Sequence, residues 1–159
     1  MSVDFYVAIP AAEWPTAAAV QHCMAERSYP VQLKRFPTFD PQRVVTDGAF
    51  VTVDGGTEAY LEGEIISSRL AAADVKMIND RIKASSGRFR IKDGDAVMSI
   101  RVRSPAEMRA ASYVISGLIV CFSGYAFEPQ GNTHGRDDFA TTLIAGAEAL
   151  KGPLVHAQN

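Results

Sequence analysis

Two short glycine turns do most to restrict the folds open to this chain. Asp54-Gly55-Gly56 separates Phe50–Val53 from Thr57–Ile66, and Asp93-Gly94 separates Arg88–Lys92 from Asp95–Arg103. Each flanking stretch alternates apolar and polar residues, the period of a strand with one buried face. Asp-Gly turns and three-residue glycine turns match the twist of antiparallel strands. Two hairpins are therefore predicted. A chain whose strands are joined mainly by hairpins makes a mostly antiparallel sheet with helices packed mainly on one face, an α+β fold.

The remaining elements are set by prolines, caps and periodicity. Val3–Ile9 reads as a strand stopped by Pro10, and Pro15 opens a helix over Thr16–Arg27. Val31–Phe36 is a strand ended by Pro37, and Trp14 reads as a cover on the core. Ser67 or Ser68 caps a helix over Arg69–Ala84 with Leu70, Met77, Ile78 and Ile82 as its buried stripe. Ser104-Pro105-Ala106-Glu107 is a capping box with proline at the first helical position; it opens an apolar helix to Phe122, ended by Gly124. Tyr125–Phe127 is a short strand stopped by Pro129, and Phe139–Leu150 an amphipathic helix closed by Gly152-Pro153. The expected order is β-α-β-β-β-α-β-β-α-β-α: six to seven strands and four helices in one domain over 1–152, with a loose tail at 153–159. No repeat divides the chain.

Composition excludes several classes. The chain has 159 residues and a formal net charge of −2. A chain of this length buries about two-thirds of its unfolded surface, so it is expected to need no metal or disulfide to hold together. The charge balance argues against a nucleic-acid partner, because phosphate binding needs a clustered positive excess, and it leaves room for a local basic patch. The longest apolar run, Tyr113–Phe122, is too short to span a bilayer, so no membrane partner is expected. Met1–Phe5 lacks the basic and apolar regions of a secretory leader, and the expected location is cytoplasmic. Cys23 and Cys121 both sit among apolar helical residues and read as buried free thiols. His22, Cys23 and His156 do not have metal-ligand spacing, and no nucleotide-binding or nucleophile-elbow motif occurs, so no metal and no cofactor is expected.

Two constellations are candidates for function. On the hairpins, Phe89, Ile91, Met98, Ile100 and Val102 share the expected core face, and the opposite face is charged. Glu58, Glu62 and Glu64 line one strand with Tyr60 between them; Arg88, Arg90, Lys92, Arg101 and Arg103 line the other hairpin. If the hairpins are neighbours these charges pair across strands, each pair contributing about 0.2–1 kcal/mol. Alternatively the face docks a partner, with Tyr60 and Phe50 as anchors and a positive remainder that suits an acidic surface. The second constellation is the polar loop Glu128–Asp138. His134 with Asp137 or Glu128 would make an acid–base group, and Arg136 lies beside it. The competing reading is structural: Gly131-Asn132 and Gly135 are turn residues, and Asp137 or Asp138 suits a helix cap.

The apolar helix that runs into Gly124-Tyr125-Ala126-Phe127-Glu128-Pro129-Gln130, with Ile9-Pro10, Trp14-Pro15 and Tyr29-Pro30-Val31, resembles segments of small bacterial α+β proteins of the toxin-immunity kind. These stretches cover about a quarter of the chain. The resemblance implies a stoichiometric binder of another protein and carries over no catalytic residue. Three functions are therefore weighed: a non-catalytic, immunity-like binding protein, a small hydrolase built on His134, and a structural module that self-associates as a homo-oligomer.

Overall fold

The computed structural model describes residues 2–158, with side chains as far as Lys151. Strand β1 (Val3–Ile9) leads through a turn of 3-10 helix at Ala11–Glu13 into α1 (Ala17–Glu26), whose first turn is capped by the Thr16 hydroxyl accepting from the Ala19 amide at 3.1 Å. There follow β2 (Val31–Arg35), β3 (Ala49–Val53), β4 (Thr57–Ser67), α2 (Ala72–Ala84), β5 (Ala96–Val102), α3 (Pro105–Phe122), β6 (Tyr125–Glu128), β7 (Thr133–Gly135) and α4 (Asp137–Gln158). The seven strands form one sheet in the order β2-β3-β4-β5-β1-β6-β7, and each neighbouring pair is antiparallel. The α+β class, the antiparallel sheet and the helix count are those the turns predict.

The sheet is amphipathic on both sides, unequally. Phe5, Val7 and Ile9 of β1, Leu61 and Ile65 of β4, and Met98, Ile100 and Val102 of β5 face a large core closed by α1, α3 and α4. Ala8, Val97 and Phe127 point the other way, into a smaller cluster with Ile78 and Ile82 of α2. α2 covers only this part of the second face. Toward Asp4, Glu62 and Arg101 the face is open.

Helix α3 is the pillar of the larger core, buried almost throughout. Its N-terminus follows the capping logic: the Ser104 hydroxyl accepts from the Glu107 amide at 3.2 Å, and the Glu107 carboxylate reaches back to the Arg103 amide at 3.0 Å. One charged side chain lies in its interior. Arg109 is 1% exposed and holds the Asp54 carboxylate in a two-pronged pair, Nε–Oδ2 2.9 Å and Nη2–Oδ1 2.5 Å; its Nη1 donates to the Ala147 carbonyl at 2.6 Å. The turn between β3 and β4 is thereby fastened to α3 and α4 together. Tyr113, one turn along, contacts the Arg109 guanidinium with its ring and Glu148 with its hydroxyl.

Several expectations are corrected. Cys23 and Cys121 are not free thiols: α1 and α3 bring them together in a disulfide with the Cα atoms 6.4 Å apart. The segment Arg88–Lys92 forms no strand. Asn79 of α2 takes the place of a neighbouring strand, accepting from the Ile91 amide at 2.8 Å and donating to its carbonyl at 3.2 Å. Ile91 therefore packs with α2, not with Met98 and Ile100. The seventh strand is β7, inside the stretch expected to be loop. α2 begins at Ala72, and Leu70 is 50% exposed, outside its buried stripe. Ser67 and Ser68 do not cap α2: Ser67 ends β4, and Ser68 Oγ donates to the Lys92 carbonyl at 2.8 Å and accepts from the Gly94 amide at 2.7 Å. Helix α3 is stopped by Ser123 in the left-handed conformation (φ 61°), just before Gly124. α4 stays helical through Gln158, past the Gly152-Pro153 pair expected to close it. The side chains beyond Lys151, His156 among them, lie outside the described residues.

Two side-chain amides stand in for strand neighbours. Asn79 is one. The other is Gln21 of α1, whose Nε2 donates to the Val31 carbonyl at 3.3 Å and whose Oε1 accepts from the Leu33 amide at 2.7 Å, on the outer edge of β2. Trp14 covers the core as expected, stacked on Phe36 at 5.6 Å with its indole N–H on the Pro37 carbonyl at 3.2 Å.

Candidate functional site

The open half of the second face is a cleft of about 400 Å³ lined by Asp4, Tyr6, Thr46, Glu62, Glu64, Asp74, Ser99 and Arg101. Strand alternation places most of these. On β4 Leu61 and Ile65 enter the core, so Glu62 and Glu64 point away. On β5 Ile100 does the same and leaves Ser99 and Arg101 outside. The ladder then sets Glu62 opposite Arg101 and Arg101 opposite Asp4. Such close strand approach needs Gly63, where a Cβ would lie 1.8 Å from the Ser99 carbonyl oxygen.

The hairpins being neighbours, cross-strand pairing is realised for part of the charge. Arg101 Nε donates to Asp4 Oδ1 at 3.0 Å, and Arg103 pairs with Glu62. Hydrogen bonding from Arg103 holds the Glu62 carboxyl below its usual range. Glu64 and Asp74 have no cation within salt-bridge distance among the described residues. Tyr6 sits among them, its hydroxyl pushed up by burial first and then by the negative charge of Asp74, Asp4 and Glu64, with Arg101 opposing. Asp4, Glu62, Glu64 and Asp74 thus outnumber Arg101 and Arg103 around the cleft. The positive remainder expected from the sequence is not here, because Arg88, Arg90 and Lys92 are not on a strand of this face.

Glu58 and Tyr60 lie further along β4. Glu58 is exposed opposite Thr52; Tyr60 is 40% exposed, opposite a half-buried Phe50, and its hydroxyl donates to the Asp47 carbonyl at 3.1 Å. The Arg35 guanidinium lies 5.9 Å from the Tyr60 ring centre.

Arg90 and Arg136 belong to a second neighbourhood around His134. Phe89 stacks on Tyr125 at 3.9 Å, and the Arg136 guanidinium lies 5.2 Å and 5.4 Å from the two ring centres. Arg90 Nη1 donates to the carbonyls of Gly87 (2.8 Å) and Phe89 (2.7 Å), while Arg88 is exposed. His134 does not meet the carboxylates proposed for it. Its Nδ1 is 2.6 Å from the Tyr125 hydroxyl and its Nε2 is 2.7 Å from Ser85 Oγ. Glu128 instead accepts from the amides of Gln130 (2.7 Å) and Gly131 (2.5 Å), closing the β6–β7 turn. Asp137 opens α4, and its carbonyl accepts from the Thr141 hydroxyl at 2.9 Å.

One proton assignment satisfies the whole His134 set. Tyr125 donates to Nδ1, Nε2–H donates to Ser85 Oγ, and the Ser85 hydroxyl donates to the Arg81 carbonyl at 3.0 Å. In that arrangement Ser85 gives its proton to the end of α2; with the imidazole proton on Nδ1 instead, the Ser85 hydroxyl donates to Nε2. The burial that raises the Tyr125 hydroxyl, against Arg136 and Arg90, keeps it protonated as a donor.

Sequence reasoning missed Asp4, Tyr6, Asp74, Ser85 and Tyr125. Asp4 and Tyr6 follow from the alternation of β1 once the central strand is known. Asp74 and Ser85 required the packing of α2. Among the described residues no group of three or more His, Cys, Asp or Glu side chains is arranged to hold a metal ion, and no helix is long and apolar enough to cross a membrane. No family model, curated protein or solved structure matches the chain.

Proposed function

We propose that this chain is a non-catalytic protein-binding domain that occludes a partner with the open half of its sheet, as a toxin-immunity protein would. The observation that carries the reading is the uncovered cleft on β4, β5 and β1, with two carboxylates, Glu64 and Asp74, that have no cation within salt-bridge distance among the described residues. A partner presenting lysine or arginine side chains meets them with complementary charge, which speeds encounter and fixes orientation. Tyr60 and Tyr6 provide the amphipathic aromatic surface that protein interfaces favour. The arginines that remain are committed to Asp4 and Glu62, so they hold those carboxylates in place for the interface.

The test is affinity capture from the cells that make the protein, using the native chain, Glu64→Lys/Asp74→Lys, and Arg88→Glu/Arg90→Glu. A single partner in 1:1 ratio, lost with the first variant and at high salt but kept with the second, is the expected result. Retention by the first variant, or loss only with the second, rejects the cleft as the binding site.

The hydrolase reading rests on the 2.7 Å Ser85–His134 contact. It requires His134→Ala to abolish function, whereas the binding reading expects that variant to capture the same partner unchanged.

A further inference from the structure

We infer that the Cys23–Cys121 disulfide is a permanent structural pin and that the chain is therefore built to work in an oxidising compartment, against the cytoplasmic expectation. The bond joins residues 98 positions apart and spans most of the domain. Disulfides closing long loops remove the most freedom from the unfolded chain. They persist where thiols are not continuously reduced and are rare in a reducing cytosol.

The position of the bond is that of a pin. α1 buries only Val20, Cys23 and Met24, and two of these are the disulfide half and its neighbour. The helix packs chiefly against α3 and β2, and its main tie to the sheet edge is the Gln21 amide. Cys121 is the penultimate residue of α3, the pillar of the core. The bond thus fastens a lightly held helix to the most firmly held one. Cys23 is 4% exposed, which shelters one sulfur, whereas Cys121 is at the surface. Formation is by thiol–disulfide exchange with a disulfide-carrying oxidase. The two cysteine thiols lose two electrons and two protons, and the donor's disulfide is reduced to two thiols.

The experiment has two arms. In the first, intact producing cells are treated with a membrane-permeant alkylating reagent before lysis, and the mass of the purified chain is measured. No added alkyl group before reduction, and two after it, is expected; two groups without reduction overturns the compartment. In the second, the native protein and Cys23→Ala/Cys121→Ala are melted side by side. The variant's midpoint is expected to fall by on the order of 10 °C. A midpoint within about 2 °C of the native value overturns the pin. If the variant fails to fold, the melt is run on native protein with and without dithiothreitol, and the same two limits apply.

Discussion

Replacing Asp54 by asparagine isolates the charge of the ion pair made by the buried Arg109. Asn tolerates the left-handed backbone that Asp54 adopts at φ 56° and keeps one acceptor oxygen, so turn geometry is preserved. What changes is that the Arg109 guanidinium, 1% exposed, loses its counter-charge. It cannot escape by giving up its proton, because a guanidinium stays charged in proteins whatever its surroundings. Removing one partner of a buried pair costs about 3–5 kcal/mol, and the retained acceptor puts Asp54→Asn at the lower end, about 3 kcal/mol. With a urea slope of about 2 kcal/mol/M, the unfolding midpoint falls by about 1.5 M. Arg109→Met is the informative comparison. It strands a carboxylate whose side chain is 31% exposed and so can take water instead, and it leaves the Ala147 carbonyl without its donor, for a cost of about 1–2 kcal/mol. The order Asp54→Asn worse than Arg109→Met is the expected outcome of urea titrations with unchanged slope. The reverse order, or a cost for Asp54→Asn below about 1 kcal/mol, would refute the reasoning.

Two further outcomes follow from the same core and the cleft floor. Tyr113 has its hydroxyl pushed up to about 12 by burial and by its hydrogen bond to Glu148, with Arg109 opposing. A raised folded-state pKa means stability is full below pH 10 and is lost as pH climbs from about 10 toward 12, at up to about 1.4 kcal/mol per pH unit from this group. Urea midpoints at pH 9 to 11.5 should fall less steeply in Tyr113→Phe than in the native chain, and equal slopes would rule the assignment out. Gly63→Ala places a methyl 1.8 Å from the Ser99 carbonyl oxygen. Since that neighbour is backbone in the middle of the β4–β5 ladder, the variant should lose at least about 3 kcal/mol or fail to accumulate folded, as read by circular dichroism and urea titration; near-native stability would show that the ladder can shift.

The parts of this molecule legible in its sequence are those fixed by local physics. The Asp54-Gly55-Gly56 turn, the Ser104–Glu107 cap and the alternation of β4 each depend on residues a few positions apart, and each is where the pattern puts it. Arg88–Lys92 carries the same alternation as a strand, yet its partner is a single Asn79 side chain on a helix, which no periodicity encodes. The disulfide depends on two helices meeting across 98 residues, and each cysteine alone looks like an ordinary apolar helix position. The cleft charge was misjudged for the same reason. The glutamates follow from β4 itself, but the sign of the site depends on Asp74 arriving from α2 and on Arg88, Arg90 and Lys92 lying on no strand of this face, Arg90 being held on the Gly87 and Phe89 carbonyls. His134 met Ser85 and Tyr125 because β7 formed where a loop was expected.

The Gln21 amide has a consequence beyond holding α1 in place. β2 ends the sheet, and the outward N–H and C=O groups of such a strand are a template onto which another chain can add, the first step of amyloid-like growth. Gln21 occupies the Val31 carbonyl and the Leu33 amide from within the same molecule, and exposed Lys34 and Arg35 place positive charge on the remaining length. A single side chain thus closes the sheet edge to neighbouring copies, so its value lies less in the energy of one folded molecule than in keeping a concentrated population of them apart.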